Sequence, residues 1–363
     1  MLSSWNFIPV FLLSGALHGL FLAAALLFLR RGPRTANRLL GALVLIFSAQ
    51  LAWHAFVALK FAVTPFALFP LAFLFGPLFY FYTLALTQKE FAPAFRQLWH
   101  GAPAILCARI LTMLQVTASS PERFFAALGG LALAHLFIYL IAIAKRLREH
   151  ELRLKEKFSS LERINLVWLR KLFGLFVLDW AALVLWQIYG RDPLALHLIW
   201  TFAALALYAI GYMGLQQPEI FAGANGEAEA KQAGKYEKST LTPEKAEEHL
   251  QKLLALMRSE KPYRESALNL PALAKRMAIP THHLSQIIND KLRQNFFEFV
   301  NHYRIEEAQT LLRDPSQAHL NVAAIGFDCG FSSISAFNSA FKKFTGTTPS
   351  RFRKNTSAAS HAR

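Results

Sequence analysis

LPALAKRMAIPTHHLSQIIND, residues 270–290, and VAAIGFDCGFSSISAFNSAFKK, residues 322–343, are two versions of one pattern. Each opens with a short helical run of small and aliphatic residues (Leu270, Leu273, Ala274 and Met277; then Val322, Ile325 and Gly326), turns, and continues into a second helix with two unlike faces. In the first copy Leu284, Ile287 and Ile288 turn inward at helical spacing, which leaves His282, Ser285, Gln286 and Asn289 at i, i+3, i+4 and i+7 facing outward. In the second, Phe337, Ala340 and Phe341 go in, while Ser335, Asn338, Ser339 and Lys342 come out. A strip of imidazole, amide, hydroxyl and amino groups on a helix held by a packed partner is what reading base edges in a major groove requires. A solvated helix face would carry the same residue types, and the duplication argues against that reading.

The stretch GFSSISAFNSAFKKFTGTTPSRFRK, residues 330–354, resembles the signature of the AraC/XylS transcription regulators. Residues 254–312 are similar to the first helix-turn-helix unit of that family with its linking helix, and the likeness covers about the last third of the chain. The resemblance implies transcriptional control through double-stranded DNA; a homodimer and contact with RNA polymerase stay open.

Two positions depart from the family pattern. Pro280 stands where a capping serine is usual, so the first recognition helix is expected to begin a residue late. Arg293 stands where a glycine turn is common, which calls for an unusual backbone or a longer helix. The helix expected over 296–313 links the units, and two recognition helices so held could enter successive major grooves about 34 Å apart. Lys275, Arg276, Lys291, Arg304, Lys343, Arg351 and Arg353 are candidates for phosphate contacts, which position without specifying.

The rest of the chain is of another kind. With 363 residues, 54% hydrophobic, 32 Phe and a net charge of +16, the sequence is too apolar for an ordinary soluble protein although its last third is polar. Seven apolar runs of about membrane-spanning length are expected at about 6–29, 39–60, 64–86, 98–118, 123–144, 172–189 and 194–215. The third, with Pro65, Pro70, Gly76 and Pro77, is expected to kink. Arg30, Arg31, Arg34 and Arg38 follow the first run, the reverse of a cleaved signal peptide. Lys and Arg collect in the first, third and fifth connections, so those face the cytoplasm. An odd number of spans puts the N-terminus outside and the C-terminus in the cytoplasm of a bacterial inner membrane.

The expected architecture is therefore all-α: a polytopic seven-helix bundle over 1–215 in a lipid bilayer, a flexible tether over 216–242, a cytoplasmic domain of two helix-turn-helix units over 243–355, and a disordered tail over 356–363. Thr242, Pro243 and Glu244 read as the start of that domain's first helix. The fifth connection, 145–171, reads as an amphipathic helix, solvated or bound at the headgroups, or else one that passes a signal inward.

Arg109 and Asp179, ionisable groups within apolar runs, are candidates for an intramembrane pair, against a snorkelling Arg109 and an Asp179 facing a wet cavity. His18, His54, His135 and His197 are scattered over four runs without i, i+4 pairing and read as packing residues, and Cys107 and Cys329 are too few for a disulfide framework. No phosphate-binding glycine loop, metal-ligand spacing or nucleophile with a base is present, so neither an enzyme, a metal nor a cofactor is expected. The functional expectation is a membrane-embedded regulator whose bundle senses a small molecule, a lipid or an envelope state, or only anchors the DNA-binding domain, acting through dimerisation or proteolytic release. The alternative is a receptor or transporter-like protein whose tail binds a protein partner.

Overall fold

The computed structural model describes residues 7–28, 34–61, 67–88, 91, 94–113, 122–161, 166–189, 192–216 and 241–361. Among these the chain is helical, with one isolated bridge, Phe158 to Asn269, and no strand. It divides into two compact units, one of Met1–Glu149 with Leu166–Asn225, the other of His150–Asn165 with Gly226–Arg363.

The first unit holds α1 (Phe7–Phe28), α2 (Arg34–Ala58), α3 (Ala72–Thr87), α4 (Ala102–Met113), the first part of α5 (Glu122–Lys157), α6 (Val167–Tyr189) and α7 (Pro193–Gln216). Among the described residues five stretches are long and apolar enough to cross a membrane, Phe7–Phe28, Arg34–Ala58, Phe69–Thr87, Arg123–Lys157 and Trp168–Tyr189, and α7 holds a shorter apolar stretch, Leu194–Ala206. The run expected at 98–118 is described only to Met113, in α4, and most of the expected tether, 217–240, also lies outside the described residues. Pro77 sits inside α3, preceded by a 3₁₀ turn at Phe69–Leu71.

Leu12 and Ala16 of α1 and Leu40, Val44 and Leu51 of α2 form the core, joined by Phe79 of α3 and Ala204 of α7. Small residues set the helix approaches. A Cβ on Gly15 would lie 2.9 Å from that of Ala204, and one on Gly76 would lie 2.7 Å from the Tyr139 ring. Polar groups within the apolar helices find backbone acceptors: Gln50 Nε2 donates to Leu68 O (2.8 Å), Trp180 Nε1 to Leu133 O (2.9 Å) and Gln187 Nε2 to Ala126 O (2.7 Å). Large apolar side chains such as Phe21, Phe28, Ile138 and Leu178 point outward.

The helix expected in the charged stretch after the fifth run is present as far as Lys157 and is continuous with that run in α5, held by Arg146–Glu149 (3.1 Å) and Glu151–Lys155 (2.6 Å) pairs one turn apart. The segment that follows then packs with the second unit and not with the bundle.

The second unit contains α8 (Pro243–Ser259), α9 (Leu270–Arg276), α10 (Thr281–Leu292), α11 (Phe296–Arg313), α12 (Val322–Asp328), α13 (Ile334–Thr345) and α14 (Pro349–His361). Thr242 caps α8, its hydroxyl accepting from Lys245 N (3.4 Å). α14 absorbs most of the expected tail. Its start is fixed by Pro349 in the first turn and a Thr348 hydroxyl that accepts from Arg351 N (3.4 Å), and nothing in the Ser-Ala-Ala-Ser sequence breaks it before His361.

α11 runs between two separate cores. Phe296, Phe299 and Val300 close one with Leu273, Leu284 and Ile288; Ile305, Ala308 and Leu312 close the other with Ile325, Phe337 and Phe341. Each helix-turn-helix thus has its own hydrophobic anchor on one shared rod.

Candidate nucleic-acid interface

The paired helices begin on side-chain caps. Asn269 Oδ1 accepts from Ala272 N (2.9 Å) at α9, Asn321 Oδ1 from Ala324 N (2.7 Å) at α12, and Ser333 Oγ from Ala336 N (3.1 Å) at α13. Pro280 takes the cap position of α10 without a side-chain bond, yet α10 does not begin late. The proline's φ of −59° and ψ of 140° are those a cap needs, and Leu284 N donates to its carbonyl (3.2 Å). The unusual backbone expected at Arg293 is present: it ends α10 with φ +56°, in the left-handed region, where Gly346 ends α13 with φ +73°.

The units differ in packing as well as ends. Where the first puts Ala274 behind Leu284, the second puts Gly326 behind Phe337, and a Cβ on Gly326 would lie 2.7 Å from that ring. The second turn is also one residue longer, five residues from Cys329 to Ser333 against four from Met277 to Pro280. The extra residue is Ser332.

On α10, His282 and Asn289 are exposed and Ser285 and Gln286 half-buried, with Asn289 Nδ2 3.4 Å from Ser285 Oγ. On α13, Ser335, Asn338, Ser339 and Lys342 are all exposed. Leu284, Ile287 and Ile288 on one helix, and Phe337 and Phe341 on the other, lie at 1% exposure or less, which fixes the rotation that turns these strips outward.

The expected phosphate-binding cations fall into three groups. Lys275 and Arg351 are exposed with no side-chain ion pair among the described residues. Arg276, Lys291 and Lys343 are exposed but paired, with Glu265 (2.5 Å), Glu247 (3.5 Å) and Glu298 (2.9 Å), weak surface pairs that a phosphate can displace. Arg353 is half-buried and donates to Leu320 O (2.7 Å), tying α14 to the loop before α12.

Arg304 is a correction. Its side chain is 1% exposed and cannot reach a phosphate, because its place on α11 lies one turn from Val300 and from Ala308, on the helix's buried stripe. The guanidinium instead donates to Tyr263 O (2.7 Å), Glu265 O (2.8 Å), Ser159 O (3.3 Å) and Ser159 Oγ (3.2 Å). Burial lowers its pKa to about 10, still high enough to keep the charge at neutral pH. It also stands 5.6 Å from the centroid of the Phe331 ring of the second unit.

Sequence reasoning missed the partner at this hub. Ser159 follows the end of α5; its N and Oγ donate to Leu268 O (3.3 and 2.5 Å), and its carbonyl accepts from Asn301 Nδ2 (3.3 Å) as well as from Arg304. Ser160 Oγ lies 2.7 Å from Ser332 Oγ, the extra residue of the second turn. Gly330 presses on the same place: with φ +91°, a Cβ there would lie 2.4 Å from Tyr263 O. Residues 158–160 therefore bridge the lead-in to α9, the linking helix and the turn before α13. Arg304's place in the apolar phase of α11 was a legible signal; nothing local to Ser159 marked it.

Lys261 (2.8 Å) and Arg264 pair with Glu307, which is mostly buried on the adjacent face of α11. Burial pushes the Glu307 carboxyl up, but the hydrogen bonds from Arg264 and Lys261 outweigh it and hold the group below its ordinary value.

Arg109 and Asp179 do not pair. Arg109 is exposed on α4, which packs against α3 and its preceding turn, whereas Asp179 on α6 lines a cavity with α2 and α7.

Residues 273–355 match the family model described as "Helix-turn-helix domain". The chain is similar to "Probable transcription factor PqrA" of Proteus vulgaris, 30% identical over 92 residues that cover 25% of this chain and 73% of that protein. It is 33% identical over 89 residues to the "Msm operon regulatory protein" of Streptococcus mutans, covering 24% of this chain but only 31% of that protein. Among solved structures, the C-terminal domain of AraT, a response regulator from Geobacillus stearothermophilus, is 26% identical over 32% of this chain and 88% of its own, with a TM-score of 0.26.

Proposed function

The chain belongs to the AraC family of helix-turn-helix transcription regulators, and from that premise we propose that it is a regulator embedded in the membrane, reading DNA with α10 and α13 while its apolar bundle senses a signal. His282, Ser285, Gln286, Asn289, Ser335, Asn338, Ser339 and Lys342 read bases. Lys275, Arg276, Lys291, Lys343 and Arg351 hold phosphates.

One observation carries the coupling of the halves: residues 158–160, which continue the long helix α5, are hydrogen-bonded into the DNA-reading unit around Arg304. A displacement of α5 is felt at once by the lead-in to α9, by α11 and by the turn before α13. The same observation supports the topology by parity. DNA is cytoplasmic, so residues 158–160 and the unit they complete lie on the cytoplasmic side. The helices between them in the chain must cross an even number of times, which α6 and α7, of 23 and 24 residues, supply by going out and back. Lys and Arg over residues 145–171, at the end of α5, in the connection after it and at the start of α6, favour the same side.

The test is binding of DNA fragments by the full-length protein in lipid nanodiscs, followed by fluorescence anisotropy over a range of salt. Binding that falls steeply with salt and selects a sequence from random DNA is expected. No binding at low ionic strength would overturn the reading and favour a tail that engages a protein partner.

A further inference from the structure

We infer that the cavity between α2, α6 and α7 is a binding site for the ammonium head of a small aliphatic amine, with Asp179 as its counter-ion. The inference rests on the reading of the bundle as the sensing half and gives that sensor a ligand class.

The cavity has a volume of about 40 Å³ and is walled by apolar side chains, among them Leu40, Val44, Phe47, Phe176 and Ala203. Among the described residues Asp179 is the only ionisable one in its lining. Leu172, Leu175, Phe176 and Asp179 stand at i, i+3, i+4 and i+7 on α6, so the carboxylate lies on the cavity face and not on the side where Leu178 and Leu185 are exposed. Its Oδ1 is buried and, among the described residues, accepts no hydrogen bond and has no cation paired with it.

A buried carboxylate oxygen without a donor is costly, and the bundle meets that cost nowhere within itself. Gln50 on α2 and Trp180 and Gln187 on α6 itself, polar groups of the same bundle, all reach carbonyls of the chain. The unsatisfied acceptor thus belongs to a residue that lines an apolar cavity, where a donor from outside the chain completes it.

The chemistry narrows that donor. An anion is repelled. An alcohol offers a single donor, whereas an ammonium group offers three with the opposite charge, and charge-assisted bonds are roughly twice as strong. Drug-sized ligands fill cavities of about 300 Å³ or more, so this one takes a head group and a few carbons, with any longer chain directed into the lipid.

The experiment uses the full-length protein in phosphatidylcholine nanodiscs, titrated with n-hexylamine and with 1-hexanol in a calorimeter. Saturable binding of hexylamine, with hexanol bound far less, is expected. Asp179→Asn should weaken hexylamine binding roughly thirtyfold or more, as loss of one partner of a buried charge pair does. Ala203→Leu keeps the carboxylate but fills the cavity, and should abolish binding by a different route. Equal affinity for amine and alcohol, or wild-type affinity in both variants, would overturn the site. A transcription reporter run beside it separates the two readings: calorimetric binding without a change in transcription would leave the site standing and sink the sensor.

Discussion

Ser159 accepts two hydrogen bonds from Arg304, one at its carbonyl (3.3 Å) and one at its hydroxyl (3.2 Å), although the two residues lie 145 positions apart in the chain. Both are 1% exposed, so neither can exchange its partner for water. Ser159→Ala removes the hydroxyl that joins Arg304 to Leu268 O and should destabilise the DNA-reading unit by about 1–2 kcal/mol. Hydrogen exchange of the α11 amides in the full-length protein measures this. Unchanged protection would show that the hydroxyl is dispensable.

Arg304→Ala should act as a structural lesion. It leaves Tyr263 O and Glu265 O, each held at under 3 Å, without their donor, and each buried acceptor left unsatisfied costs about 1–3 kcal/mol. Urea unfolding should shift to markedly lower denaturant. The protein that stays folded should keep the wild-type salt slope for DNA binding, whereas Lys275→Ala should lower that slope by about 0.9.

Arg293 and Gly346 offer a paired test of backbone strain. A non-glycine residue at a φ of +56° carries a conformational cost of about 1 kcal/mol, which Arg293→Gly should partly recover. Gly346→Ala should impose a similar cost at φ +73° although nothing lies within 4 Å of the new methyl. Opposite shifts in the denaturation midpoint are expected. A destabilised Arg293→Gly would mean that the arginine side chain is worth more than its backbone strain.

Glu307 sets an acid limit on this unit. Its folded-state pKa lies below the ordinary 4.5, so its pairing with Arg264 and Lys261 contributes stability above that value and loses it as pH falls through the folded value. Glu307→Gln should therefore cost stability at pH 7 but show a flatter decline toward pH 4. Parallel pH profiles for the two proteins would remove Glu307 as the cause.

Asn338→Ala should relax preference at one base pair of a selected sequence by about 1–3 kcal/mol, while Gln286→Ala does so at a position read by the other unit. A selection from random DNA repeated with each variant shows which positions lose information. A uniform loss across all positions would assign both residues to phosphates.

The two helix-turn-helix units were legible in the sequence because local periodicity decides them: Leu284 and Ile288, or Phe337 and Phe341, fix which face is buried before any tertiary contact is known. The left-handed Arg293 was legible too, as a residue out of place at a helix end. Arg304 runs against its composition signal: a basic residue near a recognition helix suggests phosphate, but its place on the buried stripe of α11 turns it inward. Ser159 could not have been found. Its role depends on contacts with Leu268, Asn301 and Arg304 that are more than a hundred residues away, and sequence spacing says nothing about such contacts. The same holds for Asp179, whose neighbours in the cavity come from three helices that the sequence does not order in space.

The DNA-reading unit is tied to the rest of the chain twice, once through residues 158–160 and once through the stretch between α7 and α8. A protease cutting only that second tie would carry off α8 to α14 and leave Ser159 behind on the end of α5. The severed fragment would contain a buried arginine stripped of two acceptors and a second turn whose Ser332 had lost Ser160. Shedding by one cut thus delivers an incomplete reader, whereas a signal that moves α5 acts on the whole one and can be undone.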